Sequence, residues 1–312
     1  MVKKEEFYFD SRDNSSKIHA VKWIPEGKIS AILQIVHGMA EYVERYDEFA
    51  RYLAKRGILV TGEDHLGHGQ SVGKDGVYGY FCERDAATVL VRDVHRLKKM
   101  VQEEYPGVPY MILGHSMGSF ILRNYLCRYG NGINGAIVVG TGMPPKGLIA
   151  CSKVLCRILG WIQGQTRVSY FLDKMAFGSY NDRIEDLRTQ KDWLCTDPAV
   201  VDAYINDPLC GFTFTVNGFE TMFELIARLH QPENLINMPT QLPTFFIYGK
   251  QDPVGEYGEG VERILRDFAK LGMKAPKVSV YENDRHEVLN EKDKIEIFEE
   301  IYEWIEQTGS IL

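Results

Sequence analysis

Short apolar runs alternate along this chain with longer amphipathic segments, and this alternation restricts the fold more than any other feature. Each run spans four to six residues, the length of a buried strand. Strands that alternate with helices predict a mostly parallel sheet covered by helices on both faces. After an amino-terminal hairpin, the predicted strands are 31–36, 58–62, 110–113, 136–139, 244–248 and 278–281, and the predicted helices are 46–56, 86–104, 116–128, 255–271 and 291–306.

One long stretch, residues 144–241, breaks this alternation and mixes apolar and aromatic residues with polar turns. A structureless loop of that length is uncommon inside a compact domain, so we expect this cap segment to fold as a unit. It leaves the carboxyl end of predicted strand 136–139, which is where ligands bind in open sheets of this kind. We therefore predict a core of residues 1–143 and 242–312, with residues 144–241 as a lid; a decoration without a role in binding is the alternative.

Charge and hydropathy exclude several classes of partner. The 312 residues have a formal net charge of -7 and no basic block, which argues against nucleic acid and anionic membrane surfaces as partners. No run approaches the roughly 18 apolar residues of a membrane span, and the amino terminus lacks the apolar stretch of a signal peptide. We therefore predict a cytoplasmic protein without stable membrane insertion.

Cysteine and glycine spacing give no sign of a metal or a cofactor. The chain has six cysteines, but it contains no CxxC pair and no cysteine and histidine spacing typical of zinc ligands. In a reducing compartment these cysteines are expected to be free thiols. The glycines at 67, 69 and 73 have the spacing GxGxxxG, which differs from that of a dinucleotide-binding turn. The sequence thus predicts neither a metal site nor a cofactor.

Residues 114–118 read Gly-His-Ser-Met-Gly, a GxSxG match at the junction of a predicted strand and a predicted helix. A sharp turn there would expose the hydroxyl of Ser116, and the helix amino end would aim N–H groups at developing negative charge. The pentapeptide alone is weak evidence, so its position and its partner residues decide the matter. We predict that Ser116 is a nucleophile.

A serine hydroxyl needs a general base, usually a histidine that is oriented by a carboxylate. In this topology the chain order is serine, acid, histidine. Asp252 follows predicted strand 244–248 through a turn, and His286 follows predicted strand 278–281. We predict Asp252 as the acid and His286 as the base, with Glu256 and Asp284 as alternatives for the acid.

Acyl transfer also needs hydrogen-bond donors for an oxyanion. Predicted strand 31–36 runs into His37, Gly38 and Met39, and in this architecture such a turn brings one backbone N–H over the nucleophile. The second donor is the residue that follows the nucleophile. We therefore assign the backbone N–H groups of Met39 and Met117 to an oxyanion hole and give His37 a structural role.

Several motifs occur together and in order along the core. They are His37, Gly38, Met39, Glu41, Arg45 and Tyr46; the run Asp64, His65, Leu66, Gly67, His68, Gly69, Gln70 and Ser71; residues 114–118; Asp252; and His286. This set resembles the monoacylglycerol lipase and lysophospholipase branch of the α/β-hydrolases, which includes enzymes of the serine aminopeptidase type.

The resemblance implies an α/β-hydrolase fold of the α/β class, with a mostly parallel central sheet and a helical cap formed by the cap segment. It also implies a catalytic set of Ser116, Asp252 and His286, an acyl-chain tunnel in the cap, and no cofactor. The expected substrate is a small-molecule lipid or ester, such as a monoacylglycerol or a lysophospholipid. Activity is expected to fall on acidification near the ordinary histidine pKa of about 6.5.

Two other functions remain open from the sequence. The same fold and catalytic set could cleave amides as an aminopeptidase, if an acidic cluster in the cap segment held the free amino group of a peptide. Candidates for such a cluster are Asp182, Glu185, Asp186, Asp192 and Asp197, although charges of this kind are more often a solvated helix face. A non-catalytic binding module is the second alternative, and the complete set of serine, acid and histidine argues against it.

Overall fold

A single mixed sheet forms the centre of the computed structural model, which describes residues 2–310. In this range the strands follow the order β1-β2-β4-β3-β5-β6-β7-β8. The first two strands form an antiparallel hairpin, β2 pairs antiparallel with β4, and all later pairs are parallel. The strands are β1 (Lys3–Asp10), β2 (Lys17–Ile24), β3 (Ala31–Val36), β4 (Ile58–Glu63), β5 (Tyr110–His115), β6 (Gly135–Val139), β7 (Thr244–Gly249) and β8 (Lys277–Tyr281).

Helices cover both faces of this sheet, as the alternation of apolar runs predicted. The helices of residues 2–310 are α1 (Asp47–Ala54), α2 (Ala86–Glu104), α3 (Met117–Tyr129), α4 (Lys146–Gln163), α5 (Tyr170–Phe177), α6 (Pro198–Asn206), α7 (Val216–Arg228), α8 (Pro232–Leu235), α9 (Glu259–Lys270) and α10 (Lys294–Gly309). Successive strand residues point to opposite faces, so Leu33 joins the core under α1 and α10, whereas Ile32 joins the core under α2, α3 and α9. The α/β-hydrolase fold class is therefore confirmed.

Four of the five predicted helices start one to four residues later than the amphipathic pattern indicated, and two of these shifts have a clear backbone cause. The helix predicted at 116–128 begins at Met117, because Ser116 has a φ of 53°. The helix predicted at 255–271 begins at Glu259, because Glu256 and Tyr257 have φ values of 51° and 59°. Residues with positive φ cannot continue a right-handed helix, so both helices begin after these turns.

The cap segment connects β6 to β7 through helices α4 to α8. Its residues are all described, and none of them belongs to the central sheet. Helix α7 packs on the core, since Phe219 and Met222 lie in the same apolar cluster as residues of α2 and α3. Helices α4 and α5 instead expose large apolar side chains, including Trp161 at 89% and Phe171 at 62%.

Two further observations concern the described part of the chain as a whole. Between residues 2 and 310, no helix combines the length and the apolar character that crossing a bilayer would require. All six cysteines lie within this range and are free thiols, of which Cys151 is exposed. Burial raises the pKa of Cys127 and of Cys156 to about 12, so these two thiols stay protonated at neutral pH.

Candidate active site

Ser116 lies in a sharp turn between β5 and α3. Its backbone has a φ of 53° and a ψ of −121°, a conformation that residues with a side chain rarely adopt. Its amide donates to the carbonyl of Val139 on the neighbouring strand at 3.0 Å, which fixes the turn to the sheet. Backbone strain of this kind costs on the order of 1–3 kcal/mol and is concentrated at functional sites.

The two glycines of the motif make room for this turn. A Cβ atom on Gly118 would lie 1.9 Å from the carbonyl oxygen of Val36, and one on Gly114 would lie 2.5 Å from that of Gly118. Both distances are far shorter than van der Waals contact. Only glycine therefore allows β3, β5 and α3 to approach one another so closely.

His286 and Asp252 meet at the carboxyl edge of the sheet. Nδ1 of His286 donates to Oδ2 of Asp252 at 3.0 Å, and the amide of Val254 donates to the other carboxylate oxygen at 2.8 Å. Both side chains are buried, with 2% of His286 and 0% of Asp252 exposed. Because Nδ1 is engaged with Asp252, Nε2 is the ring nitrogen available to exchange a proton with a hydroxyl.

The two alternative acids have other surroundings. Glu256 forms an ion pair with Arg263. Asp284 is buried, and this burial, together with the charges of Glu291 and Asp293, raises its pKa to about 7. A carboxyl group that is half protonated at neutral pH supports a histidine less well than a fully ionised one.

Met39 and Met117 line the same cavity as Ser116. Met117 is the first residue of α3, and the first amides of a helix have no acceptor within the helix. The loop before Met39 also passes close to the serine, since a Cβ atom on Gly38 would lie 3.1 Å from Cβ of Ser116. This geometry can present two backbone N–H groups to an anion formed at Ser116.

Ser116 and His286 open into a cavity of about 340 Å³ between the core and the cap segment. Its walls are mostly apolar, and helices α4, α5 and α7 contribute many of the residues. The apolar wall includes Leu148, Ile149, Phe177, Phe223 and Ile226. A cavity of this character suits a ligand with a hydrocarbon portion and a reactive polar group at one end.

A buried network of charges lies behind the cavity. Arg45 donates to Glu41 at 2.8 Å and binds both carboxylate oxygens of Glu287 at 2.8 Å. Glu41 also accepts hydrogen bonds from the amide of Gly38 at 2.6 Å and from the hydroxyl of Tyr46 at 2.8 Å. The network therefore joins the Gly38 loop to the residue that follows His286.

His115 extends this network to His286 itself. Its Nδ1 lies 3.2 Å from Glu41, and its Nε2 lies 3.3 Å from the carbonyl oxygen of His286. Burial by itself would raise the pKa of Glu41, but the hydrogen bond from His115 and the charge of Arg45 hold it well below its usual value. Burial would likewise lower the pKa of His115, and the bond to Glu41 raises it instead.

Glu41 and Arg45 belong to one of the sequence motifs, and the sequence alone assigns no role to either. Their four-residue spacing is a signal for an ion pair, but Glu287 lies 242 positions further along the chain from Arg45. No sequence pattern indicates that contact. The network is thus a part of the site that only the structure supplies.

Three more buried histidines, His37, His65 and His68, support the Gly38 loop from below. The amide of His65 donates to Nε2 of His37 at 3.0 Å, and the amide of Ala40 donates to Nε2 of His68 at 3.2 Å. Burial lowers the pKa of His37 to about 4 and that of His68 to about 3, so both rings are neutral acceptors. Among residues 2–310, no group of three or more possible ligands is arranged to hold a metal ion.

Comparisons with known proteins agree with this architecture. A family model described as Hydrolase_4, serine aminopeptidase S33, matches residues 27–293. The chain is 26% identical over 290 residues to a monoglyceride lipase of Homo sapiens, and the alignment covers 91% of this chain and 85% of that protein. A monoacylglycerol lipase of Mycolicibacterium smegmatis is 26% identical over 292 residues, which cover 91% of this chain and 90% of that protein.

A solved structure extends the likeness to three dimensions. A thermostable carboxyl esterase from Bacillus coagulans, in complex with glycerol, has a TM-score of 0.91 and 30% sequence identity, covering 99% of this chain and 100% of that chain. The family model spans most of the sequence, and the resemblance inferred from the motifs is confirmed. This chain belongs to the serine aminopeptidase (S33, Hydrolase_4) family of the α/β-hydrolases, with monoglyceride lipases among its relatives.

Proposed function

We propose that this protein is a serine hydrolase that cleaves lipid-type carboxylic esters, with a monoacylglycerol or a lysophospholipid as substrate. The coarser assignment, a carboxylic-ester hydrolase, follows from the monoglyceride lipases and the carboxyl esterase among its relatives. One observation supports the proposal most strongly. Ser116 on its strained turn and His286 in contact with Asp252 open into one apolar cavity.

The first half of the reaction forms an acyl-enzyme. Nε2 of His286 takes the hydroxyl proton of Ser116 while Oγ attacks the ester carbonyl carbon, and the carbonyl oxygen becomes an oxyanion. The N–H groups of Met39 and Met117 donate to that oxyanion, an interaction worth about 10² to 10³ in rate for each donor. The tetrahedral intermediate then collapses, and His286 gives its proton to the departing alcohol.

Water completes the cycle by the same route. His286 removes a proton from water, the hydroxide attacks the acyl carbon, and the oxyanion again lies against the two backbone donors. When this intermediate collapses, His286 returns the proton to Oγ of Ser116 and a carboxylic acid leaves. Asp252 keeps the imidazole in the correct tautomer and stabilises its charged form in both halves.

The substrate class rests on the shape and lining of the cavity. Apolar side chains of α4, α5 and α7 suit an acyl chain, and the ester carbonyl would lie at the end that holds Ser116. We assign the role of a cap to residues 144–241 for this reason. We also propose the cytoplasm as the location, with the six free thiols in support.

The amidase alternative has less support. Of the five acidic residues that could bind a peptide amino group, Asp192 accepts from the amides of Arg188 and Thr189, and Asp197 caps helix α6. None of the five is among the described residues that line the cavity. The cavity wall does carry other carboxylates, and of these Glu256 is paired with Arg263. The acidic cluster expected from the sequence therefore lies outside the cavity, which weakens the amidase alternative.

Substitution of the nucleophile tests the proposal. The Ser116→Ala variant is expected to lose turnover of monooleoylglycerol, lysophosphatidylcholine and p-nitrophenyl butyrate by about 10⁶, and to lose covalent labelling by a fluorophosphonate. Ser152→Ala is the matched control, because Ser152 is a buried serine of the same cavity wall and lies away from the turn. Labelling that persists in Ser116→Ala, or faster cleavage of an aminoacyl anilide than of any ester, would contradict the proposal.

A further inference from the structure

A short turn of the cap segment, residues 192–196, lies directly on the loop that carries His286. The amide of Glu287 donates to the carbonyl of Leu194 at 2.7 Å, and the guanidinium of Arg285 donates to the carbonyl of Asp192 at 2.7 Å. The residues on both sides of His286 are therefore bonded to the backbone of this turn. These hydrogen bonds hold the loop in place, because each donor of the loop has a fixed acceptor on the turn in place of a mobile water molecule.

Glu291 provides the other end of the same contact. Its carboxylate accepts from the amide of Thr196 at 2.9 Å and from the amide of Arg285 at 3.0 Å. Glu291 is 1% exposed, so this carboxylate is held entirely by these partners and the Thr196 hydroxyl. The 192–196 turn and the 285–291 loop thus share one buried acceptor.

The side chain of Trp193 extends the contact to the imidazole. The ring centroids of Trp193 and His286 are 5.1 Å apart with an angle of 42° between the planes. The ring of His115 lies on His286 as well, at 4.8 Å. Tyr180 and Phe177, both in the cap segment, pack on Trp193 and hold its indole in place.

We propose that the 192–196 turn, through its backbone bonds and the indole of Trp193, positions His286, so that the cap segment is part of the acid–base machinery as well as a cover for the cavity. Trp193 is a positioning residue in this view, since it acts through His286. The inference rests on the proposed function, in which His286 becomes a cation in each half of the reaction.

Two physical effects support this role. The indole restricts the imidazole to the rotamer in which Nδ1 contacts Asp252, and an aromatic ring within about 6 Å also attracts a cation. The other groups that face His286 are Asp252, the His115 and Glu41 pair, and Glu287, which Arg45 neutralises. Removal of the indole leaves all of these in place, so its effect can be measured separately.

Three variants test the proposal on a small soluble ester, p-nitrophenyl acetate, which makes little use of the acyl-chain wall. Trp193→Leu is expected to lower kcat roughly 10-fold and to move the acid limb of the kcat/KM profile to lower pH, because the protonated imidazole loses its aromatic partner. Trp193→Phe should retain most of the wild-type kcat and a nearly wild-type position of the acid limb. Trp161→Leu, a tryptophan substitution at an 89% exposed position of the cap segment, should change neither.

The outcomes separate this inference from the proposed function. If Trp193→Leu has the rate and pH profile of Trp161→Leu, the inference is wrong while the enzyme remains an esterase. It is also wrong if Trp193→Leu and Trp193→Phe lose activity equally with an unmoved acid limb, since that result describes a folding defect. A wild-type protein that neither cleaves esters nor reacts with a fluorophosphonate would instead overturn the proposed function.

Discussion

The two walls of the cavity differ in how their side chains are held. On the core wall, Arg45, which is 12% exposed, forms ion pairs with both Glu41 and Glu287, and these two carboxylates are buried. On the cap wall, helices α4 and α5 contribute apolar side chains such as Leu148 and Phe177. One wall is built from fixed polar geometry, and the other from apolar surface with few directional contacts.

This difference assigns different tasks to the two walls. Hydrogen bonds and ion pairs fix distances to a few tenths of an ångström, which proton transfer requires. Apolar contact is nondirectional and tolerates many shapes, which suits an acyl chain. Changes on the core wall should therefore act on the rate for every substrate, and changes on the cap wall should act on the choice among substrates. The 192–196 turn is the exception, because it belongs to the cap segment and, in the inference above, acts on the rate through His286.

Replacement of Asp252, the proposed acid, is the strongest test of the core wall. Asp252→Asn should leave substrate binding intact and lower kcat by about 10⁴, because the amide favours the wrong tautomer of His286. The loss should be the same for short and long acyl chains. Steady-state kinetics with p-nitrophenyl esters of increasing length measure both properties.

Glu256→Gln is the matched control for that substitution. Glu256 lines the cavity and pairs with Arg263, so its replacement should reduce kcat only slightly. A larger loss in Glu256→Gln than in Asp252→Asn would exchange the roles of the two acids.

Loss of the central cation tests whether the core wall depends on charge compensation. Arg45→Met leaves Glu41 and Glu287 buried without their shared partner, which should lower the free energy of unfolding by about 3–5 kcal/mol at pH 7. Urea denaturation measures this difference. Equal free energies of unfolding for the two proteins at pH 7 would show that the network positions the loops it joins without stabilising the fold.

The same pair of proteins gives a pH dependence of known sign. The pKa values of Glu41 and Glu287 are held below the usual 4.5, so their stabilising effect is present above that pH and is lost as the pH falls. In Arg45→Met the buried carboxylates gain stability from protonation. The difference in the free energy of unfolding between wild type and Arg45→Met should therefore become smaller from pH 7 to pH 4.5. A packing defect would leave this difference constant.

The sheet could be predicted from the sequence because its strands carry a local signal. The run 31–36 is apolar at nearly every position and ends at a glycine turn, and β3 has the same bounds, Ala31–Val36. The order of serine, acid and histidine then follows from topology, since parallel strands bring their carboxyl ends together. Residues at three strand ends can be grouped in this way without any knowledge of their contacts.

Contacts between distant loops could not be predicted in the same way. Glu287 and Trp193 are single residues in irregular segments, and their partners Arg45 and His286 lie far away in sequence. Neither periodicity nor capping signals act at such separations. The starts of α3 and α9 were misplaced for a related reason, because the positive φ of Ser116 and Tyr257 is imposed by the tertiary structure.

The cap wall offers the smallest and most selective effect. Leu148 is 56% exposed and lines the cavity, so Leu148→Ala should remove about 1 kcal/mol of contact with a long acyl chain, roughly a fivefold loss in kcat/KM. The kcat/KM for p-nitrophenyl acetate should stay unchanged, because an acetyl group does not reach this wall. Ile162→Ala is the control, since Ile162 lies on the same helix, is 64% exposed and is not among the described cavity-lining residues. If Leu148→Ala lowers kcat/KM equally for acetate and for long-chain esters, the cap wall affects the chemistry itself, and the division between the two walls does not hold.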